Sequence, residues 1–141
     1  MAEPVYKVLS EAAFEAAWAA GRFHGSADDA RDGFIHLSAG HQLAGTLAAH
    51  FPGHRDLVLV ALDAERLGPS LKWEPSRGGA LFPHLYAPLD LAAMLWVEPL
   101  PLGPDGKHQL PTALNLSPTG RGRRACTESP LPNGERRRRL P

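Results

Sequence analysis

Two short segments hold most of the side chains in this sequence that can do chemistry: Phe34-Ile35-His36-Leu37-Ser38, and Trp73-Glu74 through Tyr86. Side chains alternate along a strand, so Phe34, His36 and Ser38 share one side while Ile35 and Leu37 take the core side. His36 and Ser38 would then offer a ligand two hydrogen-bonding groups just before a helix N-terminus, where anions are favoured. The bland alternative is a histidine bonded to a backbone carbonyl, with Ser38 capping the helix. Glu74 stands between Trp73 and Pro75. A carboxylate against a large apolar ring loses hydration, which raises its pKa and suits it to proton transfer. Its alternative is an exposed glutamate at a strand end. Arg77-Gly78-Gly79 is a permissive turn whose one fixed charge can grip phosphate or carboxylate. His84 and Tyr86 share a face if 81–86 is extended. They would pair an acid/base group with a hydroxylated ring, suited to a planar base or a ribose. The alternative there is a satisfied core histidine beside a packed tyrosine.

Other chemistries find less support. Cys126 is the single cysteine, which excludes an intrachain disulfide and a cysteine-based zinc site. His36, Glu74 and His84 are of the right types for an open zinc site in a metal-dependent hydrolase, although their spacing is not diagnostic. His50 and His54 have helical ligand spacing, but Pro52-Gly53 interrupts the helix between them. There is no Gly-x-Ser-x-Gly elbow, no Gly-x-Gly-x-x-Gly element and no phosphate loop.

The elements that must position these groups follow from periodicity. Val5 to Leu9 reads as a first strand. Ser10 caps a helix whose apolar face holds Phe14 and Trp18, and Gly21 closes it. The polar stretch 25–33 reads as a loop or short turn. Phe34 to Leu37 reads as a strand. Leu43, Leu47 and Phe51 recur every four residues, predicting a helix over 39–51. Leu57 to Leu62 is continuously apolar, as for a strand covered on both faces. One helical turn follows at 63–68, then strands at 71–74, 81–86 and 95–97. Both long helices fall in the first half, which argues for an α+β domain: a small, curved, mixed β-sheet with two main helices packed on it.

The chain has 141 residues, 43% of them hydrophobic, enough for one globular domain. Its zero net charge hides a split. Residues 1–116 hold 8 Lys+Arg against 13 Asp+Glu, and residues 117–141 hold 7 Arg against 2 Glu. We therefore expect a domain over 1–112 and a disordered, arginine-rich tail over 113–141, too poor in apolar side chains to offset its ordering entropy. The tail could make weak contacts with nucleic acid, but the acidic domain argues against such a partner. No basic-then-apolar leader is evident, and no apolar run approaches the roughly 20 residues of a membrane span. The expectation is a cytoplasmic protein with no membrane partner. Nothing in the sequence sets its oligomeric state.

Three segments together, Asp32-Gly33-Phe34-Ile35-His36-Leu37-Ser38, Leu71-Lys72-Trp73-Glu74 and Leu81-Phe82-Pro83-His84-Leu85-Tyr86, resemble the bacterial domain-of-unknown-function family numbered 952. The likeness spans roughly Val5 to Leu110 and leaves out the tail. The family is grouped with ADP-ribosyltransferase-like folds, so the resemblance implies a split, curved sheet holding NAD in a cleft. His36-Leu37-Ser38 matches the His-x-Thr/Ser element that contacts the nicotinamide-side ribose in that superfamily. Taken together with the residue chemistry above, the candidate catalytic groups are His36, Glu74 and His84, and the candidate ligand-binding groups are Ser38, Trp73, Arg77 and Tyr86. NAD enters as substrate, with no firm cofactor and no resident metal. The chain lacks a Glu-x-Glu or Gln-x-Glu element, which points away from transfer to a protein acceptor. Three functions follow: an NAD-utilising enzyme, a module that binds a small metabolite without turnover, and a metal-dependent hydrolase.

Overall fold

The computed structural model describes residues 4–111, except for the side chain of Arg77. The tail over 113–141, with Cys126, lies outside the described residues. Strand β1 (Val5–Ser10) runs into helix α1 (Glu11–Ala20), and the Ser10 hydroxyl accepts the Ala13 amide at 3.0 Å, capping the first turn. Gly21 ends the helix in a left-handed conformation, φ 86°. After β2 (Arg22–Phe23) comes α2 (Ala27–Asp32), in the stretch expected to be a loop. The helix forms there because Ser26 and Asp29 make a reciprocal capping box: the Asp29 amide donates to Ser26 Oγ, and the Ser26 amide donates to Asp29 Oδ2.

The expected strand 34–37 is two strands. β3 (Ile35–His36) pairs with β7 (Leu81–Leu85), whereas β4 (Ser38–Ala39) pairs with β1. The chain changes sheet at Leu37, whose amide still donates to the Pro83 carbonyl at 3.0 Å. A 3-10 turn precedes α3 (Leu43–His50), so the second main helix is shorter than its periodicity suggested. Then follow β5 (Leu57–Leu62), α4 (Ala64–Leu67), β6 (Leu71–Pro75), β7, β8 (Leu89–Asp90) and β9 (Met94–Pro99).

The architecture is α+β, but the single mixed sheet expected from the sequence is replaced by three sheets whose described pairings are all antiparallel. Their orders are β4-β1-β5-β9, β3-β7-β6 and β2-β8. β4 and β5 flank β1, each antiparallel to it, and α3 carries the chain from one to the other across β1. β5 is covered on both faces. Val58, Val60 and Leu62 join Phe14 and Ala17 of α1 with Ile35 and Leu85, while Leu57, Leu59 and Ala61 join Leu43 and Leu47 of α3. The three-stranded sheet is therefore anchored through Ile35 and Leu85 to the first of these cores. Its next row of residues is presented on the opposite face. Among the described residues, no helix is long and apolar enough to cross a membrane.

Candidate functional site

Register in the three-stranded sheet brings the two chemical segments together. His36 lies opposite His84, and His84 lies opposite Lys72, so one row crosses all three strands. Glu74 and Tyr86 are two residues from Lys72 and His84, and so point to the same side. The His36 and His84 ring centroids are 5.9 Å apart, nearly edge to face. Phe34 completes the cluster, stacked on His84 at 4.0 Å and tilted against His36 at 4.7 Å and Tyr86 at 5.3 Å.

Each imidazole is oriented by carboxylates. Glu74 Oε1 contacts His84 Nδ1 at 2.8 Å and accepts the Tyr86 hydroxyl at 2.7 Å. An ionised carboxylate only accepts, so the proton on this side of His84 is assigned to Nδ1. The hydrogen bond with His84, then that with Tyr86, holds the Glu74 carboxyl below the usual range, and Glu74 in turn raises the Tyr86 phenol. The rise expected for Glu74 from its neighbour Trp73 is thus reversed. The reason is strand alternation: Trp73 sits opposite Pro83 on the other side of the sheet, 46% exposed, and does not desolvate Glu74.

His36 is held more tightly. Its Nδ1 lies 2.6 Å from Asp29 Oδ1 and its Nε2 lies 2.8 Å from Asp32 Oδ2. A ring satisfying both contacts with ionised partners donates from both nitrogens. Asp29 is buried, and also accepts the His36 and Ser26 amides and the Lys7 ammonium at 3.1 Å. Burial pushes its carboxyl up, but the Lys7 charge and these hydrogen bonds outweigh that and hold it below the usual range. Lys7 comes from the middle of β1 and further donates to the His36 carbonyl at 3.0 Å. Asp32 is the exposed partner. Its contact with Arg31 comes first among the causes that hold its carboxyl low.

Of the residues singled out from sequence, His36, Glu74, His84 and Tyr86 converge. Ser38 does not. The switch of sheets at Leu37 buries it 2.9 Å from Thr46 Oγ1, away from His36, so the pair expected on one strand face is split and Ser38 does not cap the helix. Trp73 faces away, as above. Arg77 lies in the turn 77–79, and its side chain is outside the described residues. Lys7, Asp29 and Asp32 were missed, and Phe34, placed on the His36 side, was given no role. The Ser26-x-x-Asp29 capping signature would have found Asp29; Lys7 is masked by the apolar run around it. Among the described residues no group of three or more His, Cys, Asp or Glu side chains is placed to hold a metal ion. His36, Glu74 and His84 instead belong to two separate hydrogen-bonded clusters.

An open cleft of about 270 Å³ lies beside the face. Phe34, Tyr86, Asp29, His24 and Pro88 are among its lining residues, whereas His84 and Glu74 are not. It offers apolar ring surface next to the polar row, a combination suited to a planar ligand.

The chain is similar to protein CC0527 from Caulobacter crescentus. The crystal structure of that protein is 54% identical over 80% of this chain and 99% of its own, with a TM-score of 0.76. A double mutant of the same protein gives 53% identity over the same shares and the same score. Its solution structure gives 55% identity over 75% of this chain and 91% of its own, with a TM-score of 0.69. No curated protein matches the chain. The model of the family described as "Protein of unknown function (DUF952)" matches residues 8–97, which include the whole three-stranded sheet and its row of side chains, and the chain belongs to that family.

Proposed function

We propose that the His36–His84 face binds NAD or a related nucleotide by its ribose and cleaves or transfers the ADP-ribose part. The observation that carries this reading is the pairing of His36 with His84 across neighbouring strands, each ring oriented by a carboxylate and flanked by Phe34 and Tyr86. The ADP-ribosyltransferase-like resemblance of the family supports the choice of nucleotide. In this reading His36 fixes a ribose hydroxyl, and the Phe34–Tyr86 side of the cleft takes a planar ring. The bond that breaks joins the ribose C1′ to the nicotinamide nitrogen, and nicotinamide leaves with the electron pair. Positive charge then grows on the ribose, and Glu74, held as a carboxylate, offsets it. An acceptor hydroxyl or water closes the new bond at C1′ and yields its proton to His84.

Calorimetric titration of the full chain with NAD, ADP-ribose and nicotinamide tests the reading. We expect heat with NAD and ADP-ribose, and an affinity at least about tenfold weaker in His36→Ala, as for loss of a charge-assisted hydrogen bond. No heat with any of the three, in protein that melts cooperatively, overturns it.

One observation favours a second reading, binding without turnover: His84 is only 4% exposed, under the Phe34 ring. Analysis of products after long incubation with NAD separates the two. Nicotinamide release that disappears in His36→Ala excludes pure binding, and intact NAD excludes the enzyme.

A further inference from the structure

The row across the three-stranded sheet has a third member that the proposed chemistry does not use. Lys72 on β6 is the register partner of His84, as His36 is on β3, so three basic side chains stand side by side on one face. Directly paired residues have Cβ atoms about 5 Å apart, well within the reach of a lysine stem. Lys72 is exposed, whereas the other nearby lysine, Lys7, is buried against Asp29. The Lys72 charge also reaches Glu74, where it adds to the influence of His84 and Tyr86 in holding the carboxylate. The acidic groups around the row are engaged: Glu74 with His84 and Tyr86, Asp29 with Lys7 and His36, and Asp32 with Arg31 and His36. Asp32 is the most readily replaced of them. It is an exposed i,i+4 partner of His36, and its carboxylate occupies the position that a ligand oxygen would take at Nε2.

We infer that the exposed Lys72, at the end of the row beyond the buried His84, takes a phosphoryl group of the ligand and selects phosphorylated over unphosphorylated nucleosides, while His36 keeps the ribose. The ribose hydroxyl displaces Asp32 from His36 Nε2, and Lys72 meets the phosphoryl group at the other end of the row. The inference rests on the nucleotide reading, and makes the ligand's phosphate rather than its base the selected feature.

The test titrates the full chain and its Lys72→Ala and Lys72→Glu variants with ADP-ribose, nicotinamide riboside and inorganic pyrophosphate. Lys72 is exposed, so both variants are expected to fold, and a thermal melt checks that. The ratio of ADP-ribose to nicotinamide riboside affinity should fall about tenfold in Lys72→Ala and further in Lys72→Glu. Wild-type ADP-ribose affinity should also weaken with added salt more steeply than that of Lys72→Ala. An unchanged ratio in Lys72→Glu overturns the role of Lys72 while leaving the nucleotide reading in place. Wild-type protein that binds neither ADP-ribose nor the riboside overturns the nucleotide reading. In that case pyrophosphate binding that is lost in Lys72→Glu still supports the role of Lys72, and absence of pyrophosphate binding overturns that role as well.

Discussion

Replacing Asp29 by Asn should destabilise the domain by about 3–5 kcal/mol, the usual cost of removing one partner from a buried ion pair. Asp29 and Lys7 side chains are 2% and 9% exposed, so the substitution leaves the Lys7 ammonium without its counter-charge and out of water. The amide nitrogen of asparagine also faces donors where the carboxylate faced only acceptor work: Lys7 Nζ and the His36 and Ser26 amides all point at this group. Denaturant unfolding of the two proteins gives the difference directly. Its pH dependence has a definite sign. The folded-state pKa of Asp29 is depressed, so its contribution is present above the unfolded value and is lost as pH falls through the folded one. The gap between wild type and Asp29→Asn should be widest near neutrality and should close from about pH 4 downward. A gap that is constant from pH 7 to pH 3 would mean that the ion pair is not what Asp29 contributes.

The second large effect concerns turnover. His84→Ala should lower nicotinamide release from NAD by about 10²–10⁴-fold, the range for loss of a general acid or base. His84 is buried against Phe34, so its removal also disturbs packing. Glu74→Gln is the companion that separates chemistry from folding, because Glu74 lies at the exposed edge of the cluster. It should keep the melting temperature within a few degrees, yet lower the rate by about 10²-fold through loss of the carboxylate that fixes His84 and faces the developing positive charge. Unaltered release in Glu74→Gln removes Glu74 from the chemistry. Unaltered release in both variants removes the histidine–glutamate pair altogether.

The parts of the fold set by local pattern were legible in the sequence. The run Leu57–Leu62 is the strand expected, buried along its whole length on both faces, because six apolar residues in succession have no polar side to turn outward. Ser10 and Gly21 bound α1 where their capping chemistry put them. That His84 and Tyr86 share a face was also anticipated, since their i,i+2 relation holds in any extended strand, whereas their meeting with His36 depends on the register of β3 against β7. The rest depended on events that a single segment does not encode. Residues 34–39 carry the residue types of one strand, yet Leu37 marks a passage between sheets, and that passage separates Ser38 from His36. Glu74 and Trp73 are neighbours in sequence but lie on opposite faces, so the glutamate answers to His84 and Tyr86 across the strand rather than to the indole. Lys7 sits among Val5, Tyr6, Val8 and Leu9, where its charge is tolerated only because Asp29 arrives from 22 residues away. The helix that delivers Asp29 is six residues long, too short for periodicity to reveal, and only its capping box announces it.

If the two segments form one ligand-binding face, a ligand must perturb both at once. The most direct measurement is a titration of isotope-labelled full chain with ADP-ribose, followed by the backbone and imidazole resonances. The largest shifts should fall on His36, Lys72, His84 and Tyr86 together, saturating with a single affinity. Shifts confined to other parts of the domain, or none at His36 and His84 while the protein remains folded, contradict a shared face.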